Sequence, residues 1–176
     1  SEHTFDGQQA DMEMHLVHQK DTDWITTLEK IDSNDIGNTL LVIGVMYNAT
    51  SADPNPFIDR LNFDTLGQIY NANLNDFVDL NSGFYYYLGS LTTPGCDETV
   101  NWIVMQNVRK ISKSQLDAMH GWIEEEYKNG NARTTKPLNG RVIYSSSNKF
   151  TTYNYLSGGV FKSSFGIIAF IIMILV

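Results

Sequence analysis

Residues 39–47, TLLVIGVMY, form a nearly continuous apolar run, and this run most constrains the fold of the chain. Its β-branched and aromatic residues favour an extended conformation packed on both faces. The run therefore predicts a buried strand, and the 176 residues of the sequence are enough to enclose it in one domain.

Residues 11–18, DMEMHLVH, alternate in a way that predicts a second strand. Its two faces would carry Met12, Met14 and Leu16 on one side and Glu13, His15 and Val17 on the other. His15 and His18 then point to opposite faces, so they cannot bind the same ion. Only one of them is a candidate metal ligand.

The remaining pattern predicts a few strands and two helices. Strands are expected at 84–87 and 99–106, with a further one at 141–144, and a short helix within 53–61 that begins near Pro54 and Pro56. A longer helix is expected over 112–128, capped by Ser114, with Asp117 in its first turn and an end at Asn129–Gly130. Its buried stripe would consist of Leu116, Met119, Ile123 and Tyr127.

The charge balance excludes one class of partner. Twelve basic and 20 acidic side chains give a formal net charge of −8. A nucleic-acid surface needs a basic patch, so we expect no nucleic-acid partner.

The two ends of the sequence suggest a processed, exported protein. The sequence starts at Ser1 without an initiator Met, which indicates a mature or truncated product. Residues 165–176 are uncharged and apolar but too short to span a bilayer. Following the small residues 157–159, they resemble a glycolipid-anchor signal, although the spacer 160–164 is shorter than the usual about 8–12 residues. An attachment site within 145–148, or a short or cut-off membrane segment, is the alternative.

We therefore expect a folded part over residues 1–146, a polar linker over 147–164 and a hydrophobic tail over 165–176. The sequence Asn48-Ala49-Thr50 is a glycosylation sequon and agrees with an extracellular route.

Four segments, in this order, resemble the α-class carbonic anhydrases: SEHT at 1–4, EMHLVH at 13–18, YLGSLTTPGCDETVNWIV at 87–104 and NARTTKPLNGR at 131–141. The resemblance implies a mainly β (α+β) fold. Its central sheet would be twisted and largely antiparallel, with a few short surface helices and the N-terminal strands missing. It also implies a zinc ion in a conical cleft and reversible hydration of carbon dioxide to bicarbonate and a proton.

The resemblance also implies roles for the histidines. His15 matches the third zinc ligand of the family, and Glu13 matches the carboxylate that accepts the other ring N–H of that ligand. His3 matches a buried structural histidine. His18 is expected to be structural or at the surface, and His120 a solvated residue of the helix.

Thr92 is the expected catalytic hydroxyl. In the family its hydroxyl donates a hydrogen bond to a carboxylate, matched here by Glu2, and accepts a hydrogen bond from the attacking hydroxide. Tyr87 matches a tyrosine of the same network. On residue types alone, Thr92 in LTTPG is more typical of a turn threonine before Pro94.

Further residues match the substrate pocket and the surface of the family. The apolar wall for carbon dioxide would be formed by Val17, Val42, Leu91, Val100 and Trp102, with Thr93 as a polar neighbour; ordinary core packing explains the same pattern. Cys96 matches a cysteine of a disulfide whose partner would lie upstream. Asn131 and Arg133 resemble structural positions.

The resemblance lacks one essential part. The family's first two zinc ligands form an H-x-H pair before the SEHT segment, and this sequence contains no H-x-H. We therefore expect part of a longer, lipid-anchored enzyme at the outer face of the plasma membrane, with little hydratase activity of its own. A genuine short isoform that lacks central strands is the alternative. The alternatives are a non-catalytic binding domain of the same fold and a structural or adhesion fragment.

Overall fold

The computed structural model describes residues 1–19, 40–61, 73–79, 81–126, 130–146 and 170–175. Within these ranges the chain forms nine strands, two α-helices and a 3₁₀ turn at Leu74–Asp76. The strands are β1 (Thr4–Phe5), β2 (Gln8–Gln9), β3 (Met12–Gln19), β4 (Leu40–Ser51), β5 (Phe84–Gly89), β6 (Val100–Met105), β7 (Arg109–Ser112), β8 (Tyr144–Ser145) and β9 (Phe170–Leu175). The helices are α1 (Pro56–Leu61) and α2 (Lys113–Glu126).

Seven of these strands form one mixed sheet. Its order is β8-β5-β6-β4-β3-β9, and β7 continues along β4 beyond the part of β4 that pairs with β6. Strands β6 and β7 run parallel to β4, whereas β3–β4, β3–β9, β5–β6 and β5–β8 are antiparallel. The mainly β, largely antiparallel fold with a few short helices is therefore confirmed.

The alternation along β3 separates two cores. On one face, its methionines and Leu16 pack with helix α1, helix α2 and the partly apolar side of β4. The α2 stripe is buried as expected at Leu116, Met119 and Ile123, whereas Tyr127 lies outside the described residues. On the other face, Ala10, Val42, Met46, Val100, Trp102 and Val104 form a second core. Glu13 and His15 belong to this second face, yet both are buried.

Some boundaries differ from the expected ones. Helix α2 begins at Lys113, so Ser114 lies inside its first turn and is not the cap. The cap is Ser112, whose Oγ accepts the Gln115 N–H at 3.2 Å while Gln115 Oε1 accepts the Ser112 N–H at 3.2 Å. Asp117 lies one turn further along the helix, where it pairs with Lys113. The expected end of the helix, at Asn129–Gly130, follows residues outside the described ranges.

One strand begins later in the chain than the sequence predicted, and another strand was not predicted. The strand expected at 141–144 is instead β8, Tyr144–Ser145, which pairs with β5. Strand β9 lies within the apolar tail and pairs antiparallel with β3, placing Ile172 opposite His15. The expected linker 147–164 lies outside the described residues. Among the described residues, no helix is both long and apolar enough to cross a membrane.

The first ten residues form a hairpin that is fastened to the sheet. Asp6 and Gly7 both have positive φ, 50° and 76°, as the two-residue turn between β1 and β2 requires. Ser1 is fully buried: its amine donates to Ala10 O at 2.9 Å, and its Oγ accepts the Ala10 N–H at 2.9 Å. This closure brings Glu2 and His3 next to Glu13.

Candidate active site

Glu13 is the centre of a buried hydrogen-bond network on the second face of β3. Its Oε2 accepts the backbone N–H groups of Glu2, at 2.8 Å, and His3, at 2.9 Å. Its Oε1 accepts from His3 Nδ1, at 2.5 Å, and from His15 Nε2, at 2.8 Å. A buried carboxylate with this many donors is fully satisfied, which is the condition for keeping a charge in a protein interior.

Burial alone would raise the pKa of Glu13. The neighbouring imidazoles of His3 and His15 outweigh this effect through charge and hydrogen bonds, and they hold the pKa of the carboxyl well below its usual range. Glu13 is therefore an anion at neutral pH, and both imidazoles must present an N–H to it.

The network assigns the protons on both rings. The Tyr87 hydroxyl lies 2.6 Å from His3 Nε2, and burial raises the pKa of Tyr87, so this group keeps its proton and donates it. His3 then carries its proton on Nδ1, toward Glu13. In its neutral form His15 carries the proton on Nε2, toward Glu13, and Nδ1 is then the nitrogen that can bind a metal. A bare imidazole nitrogen is the form that binds zinc.

The ligand atoms of His3, Glu13 and His15 lie within 4.8 Å of one another, close enough in principle to surround an ion. The hydrogen bonds argue against an ion between them. Such an ion would have to replace two imidazole N–H donors that already satisfy Glu13, in a place with almost no access to water. We interpret this trio as the support of His15 and not as the metal site itself.

A zinc site at His15 needs further ligands. Catalytic zinc sites commonly use three protein ligands and one open position. His18 points to the other face of β3, where its Nδ1 lies 3.3 Å from Leu41 O, and the half-buried His120 lies on helix α2. Ile172, the residue opposite His15 on β9, has no ligand atom in its side chain. Among the described residues, His15 is thus the single nitrogen placed for such a site.

Glu2 and Thr92 line the same cavity. The cavity has a volume of about 340 Å³, and His3, Tyr87 and Arg133 also line it. Glu2 is 9% exposed; its Oε1 accepts the backbone N–H of Arg133 at 2.7 Å. Its Oε2 is buried and has no hydrogen-bond partner among the residues that the structure describes. Leaving a buried carboxylate oxygen without a hydrogen-bond donor costs free energy. Glu2 Oε2 is therefore suited to accept a hydrogen bond from the hydroxyl of a neighbour such as Thr92.

Arg133 links the closing segment to the loop that carries Thr92. Its guanidinium Nη1 donates to Ser90 Oγ and to Leu91 O, both at 3.1 Å. Ser90 O also accepts the indole N–H of Trp102 at 3.1 Å. Sequence reasoning placed Arg133 among the structural positions and missed its contacts with Glu2 and with this loop. The only signal was its place in the NARTTKPLNGR segment.

The expected apolar wall forms one cluster around the network. Val42, Val100 and Trp102 are buried, and they pack with the partly buried Val17, Leu91 and Tyr87. The Trp102 ring meets His15 edge-on, with ring centroids 4.7 Å apart, so this wall directly contacts the candidate ligand. Thr93, the expected polar neighbour, is exposed.

The two expected modification sites are at least partly accessible. Cys96 is half-buried, has a φ of 52° and directs its Sγ to Thr93 O at 3.5 Å. Asn48 lies near the end of β4, where its Oδ1 accepts the Asp11 N–H at 3.2 Å.

Comparison of the sequence with known families gives one clear match. The profile of the family described as eukaryotic-type carbonic anhydrase matches residues 1–147. Alpha carbonic anhydrase 3 of Arabidopsis thaliana is 34% identical over 155 residues, which are 82% of this chain and 49% of that protein. Carbonic anhydrase 4 of Rattus norvegicus is 32% identical over 161 residues, 83% of this chain and 51% of that protein. The chain thus spans about half the length of these curated relatives.

Solved structures give the same result. Carbonic anhydrase Cah3 from Chlamydomonas reinhardtii, in complex with acetazolamide, superposes with a TM-score of 0.63 at 28% identity. The superposition covers 82% of this chain and 60% of that one. The family profile covers the residues that carry the Glu13 network and the Thr92 loop.

Proposed function

Because the chain belongs to the eukaryotic-type carbonic anhydrase family, we propose that it supplies part of a zinc-dependent site for the reversible hydration of carbon dioxide to bicarbonate and a proton. The observation that carries this proposal is the hydrogen-bond chain from Tyr87 through His3 and Glu13 to His15, which engages Nε2 of His15 and leaves Nδ1 as its nitrogen for a metal. Zinc, when bound, is the Lewis acid known in carbonic anhydrases to lower the pKa of a water ligand to about 7.

In this proposal, Glu13 holds His15 in a single tautomer and a single orientation. A rigid, correctly protonated ligand loses little entropy when it binds the ion. Glu13 is itself fixed by the backbone N–H groups of Glu2 and His3, which the hairpin β1–β2 brings into place.

Thr92 and Glu2 would orient the nucleophile. A threonine hydroxyl has one proton, and the unpartnered Oε2 of Glu2 is the acceptor that would take it. With its O–H engaged in a hydrogen bond to Glu2, Thr92 Oγ can only accept a hydrogen bond from the attacking hydroxide. It would thereby direct a lone pair of that hydroxide toward the substrate. Arg133 supports both residues, through its backbone N–H to Glu2 and its guanidinium to the Thr92 loop.

The apolar cluster of Val17, Val42, Leu91, Val100 and Trp102 would hold carbon dioxide. This substrate has no net dipole and offers only weak acceptors, so a dry wall beside the nucleophile provides proximity and excludes water.

Zinc binding tests the proposal. Because the described residues place a single suitable nitrogen, we expect the 176-residue chain alone to bind zinc weakly, far below one ion per chain, and to show little hydratase activity. In the longest product of the gene we expect close to one zinc ion per chain.

In that product, His15→Ala should abolish stoichiometric zinc binding, measured by elemental analysis after dialysis, and His18→Ala is the matched control that should retain it. Equal zinc contents in the two variants would refute the role of His15. A longest product that folds but binds no zinc would favour a non-catalytic binding domain.

For the location, we propose an extracellular, lipid-anchored protein that carries a glycan on Asn48. The apolar tail and the sequon support this proposal. Release from intact cells by a phosphoinositide-specific phospholipase C, together with loss of mass after enzymatic deglycosylation, is the expected result. Retention on the cells and an unchanged mass would contradict it.

A further inference from the structure

Gly44 lies directly beside the candidate ligand. It is in the middle of β4, and the register of the sheet pairs it with His15. It is not among the glycines with positive φ, so its backbone does not require glycine. Glycine within a strand usually weakens the strand, because it has no side chain to pack and has more freedom in the unfolded state. Its presence here therefore needs another reason.

Space beside the Glu13 carboxylate supplies that reason. A Cβ at position 44 would lie 3.0 Å from Glu13 Oε1, and 3.7 Å from both His15 Cδ2 and Trp102 Cζ3. A separation of 3.0 Å is tighter than nine in ten real Cβ contacts. The atom that would have to move is the same oxygen that accepts from His3 and from His15.

That oxygen has little freedom to move. Glu13 Oε2 is held by two backbone N–H groups, so a rotation or shift of the carboxylate would weaken at least one of its four hydrogen bonds. The other nearby atoms belong to the rings of His15 and Trp102, which are packed edge to face. An added methyl group at position 44 must therefore disturb the Glu13–His15 contact.

We infer that Gly44 is a positioning residue for the zinc site. The absence of its side chain leaves room for Glu13 Oε1 to accept a hydrogen bond from His15 Nε2, and this bond keeps the ring proton on Nε2. The inference rests on the proposed function, because only a metal site gives the bare Nδ1 a purpose. The described contacts, however, can be tested without metal.

The first test reads the tautomer of His15 by nuclear magnetic resonance of ¹⁵N-labelled, metal-free 176-residue chain. In the wild-type protein, the long-range ¹⁵N–¹H pattern should show the proton on Nε2 and a bare Nδ1. Gly44→Ala should lose this single pattern and give a mixture of tautomers. The matched control is Gly121→Ala, where an added Cβ has nothing within 4 Å, and it should leave the pattern unchanged. A wild-type pattern in Gly44→Ala would overturn the inference.

The second test separates positioning from general damage to the strand. It compares the effect of Gly44→Ala on the melting temperature in the wild-type background with its effect in a Glu13→Ala background. We expect Gly44→Ala to lower the melting temperature only where the Glu13 carboxylate is present. In Glu13→Ala the added methyl has room, and the loss should vanish or become a gain.

This comparison also decides the case in which Gly44→Ala alone does not fold. The double variant should then be as stable as Glu13→Ala alone, and failure of this rescue would overturn the inference. An equal loss in both backgrounds would likewise overturn it. Absence of zinc from the longest gene product would refute the proposed function while leaving these two results as they stand.

Discussion

At the scale of single residues, one carboxylate determines what two histidines can do. His3 has both ring nitrogens engaged, one with Glu13 and one with Tyr87, so it cannot be a ligand without breaking a buried hydrogen bond. His15 shares the same oxygen of Glu13 through one nitrogen. In the proposed site the two residues would have different roles, because the second nitrogen of His3 meets a tyrosine hydroxyl whereas that of His15 faces the proposed metal position.

Replacement of Tyr87 by Phe tests this proton order. The variant leaves His3 Nε2 without its donor in a partly buried place, so we expect the free energy of unfolding to fall by about 1–3 kcal/mol. Urea unfolding followed by circular dichroism measures the loss. Tyr144→Phe is the control, because Tyr144 is 62% exposed and should change stability little. Equal losses in the two variants would show that the Tyr87 hydroxyl does not contribute to the network.

Asp79 offers a test of pH dependence away from the site. Its Oδ2 accepts from Asn107 Nδ2 at 2.9 Å and its Oδ1 accepts the Asn81 N–H at 3.0 Å, and these hydrogen bonds lower its pKa below the ordinary 3.8. A lowered pKa in the folded state means that Asp79 stabilises the fold above pH 3.8 and that this contribution is lost as the pH falls through the folded pKa.

We therefore expect Asn107→Ala to raise the pKa of Asp79 toward 3.8, as measured by a carboxyl titration followed by nuclear magnetic resonance. Asn75→Ala should leave the titration unchanged, since the Asn75 side chain is not among the groups that shift Asp79. A curve for Asn107→Ala that matches the wild type would contradict the assigned cause.

At the scale of elements, helix α2 depends on a reciprocal cap. Ser112 and Gln115 each satisfy a backbone N–H of the other, so Ser112→Ala removes an acceptor from the first turn. We expect a loss of about 1 kcal/mol in the free energy of unfolding. Ser114→Ala is the matched control within the same turn and should cost less. If thermal unfolding showed a larger loss of stability for Ser114→Ala than for Ser112→Ala, the cap would be Ser114, as the sequence pattern indicated.

The sequence predicted the elements whose signal is local. The alternation of residues 11–18 placed Glu13 and His15 on one face, and the stripe Leu116, Met119, Ile123 predicted the buried side of α2. The choice of cap was wrong because two serines lie within one turn, and only the position of Gln115 decides between them. Strand β7 was missed because its pairing with β4 depends on residues far away in the sequence.

Only part of the candidate site could be predicted, because several of its contacts join residues that are far apart in the sequence. The roles of Glu13, His15 and Thr92 followed from a family resemblance, and the parity of β3 supported the first two. Periodicity cannot show that Arg133 donates its backbone N–H to Glu2, because this contact joins distant parts of the chain. Nor can it show that Gly44 faces Glu13, since that contact depends on the register between β3 and β4.

At the scale of the whole molecule, strand β9 forms one edge of the sheet by covering β3 in the 176-residue chain. Cleavage of the tail as an anchor signal would remove this strand. Deletion of residues 170–176 would leave the outer edge of β3 with unpaired backbone groups over most of its length. Exposed edges of this kind pair with other chains. We therefore expect the shortened protein to show a higher apparent mass than the intact chain in concentration-dependent light scattering, whereas the control Ile172→Val should match the intact chain. An unchanged mass after deletion would show that β9 does not protect this edge.

The buried position of Ser1 has a practical consequence for work with this domain. In the 176-residue chain its amine and hydroxyl both bond to Ala10, so a residue joined to the amine would replace the ammonium by an amide N–H at this contact. An affinity tag placed there would lie next to Glu2 and His3, the two residues whose backbone N–H groups donate to Glu13. Purification handles and fluorescent reporters on the 176-residue chain are therefore better attached at a position other than the Ser1 amine.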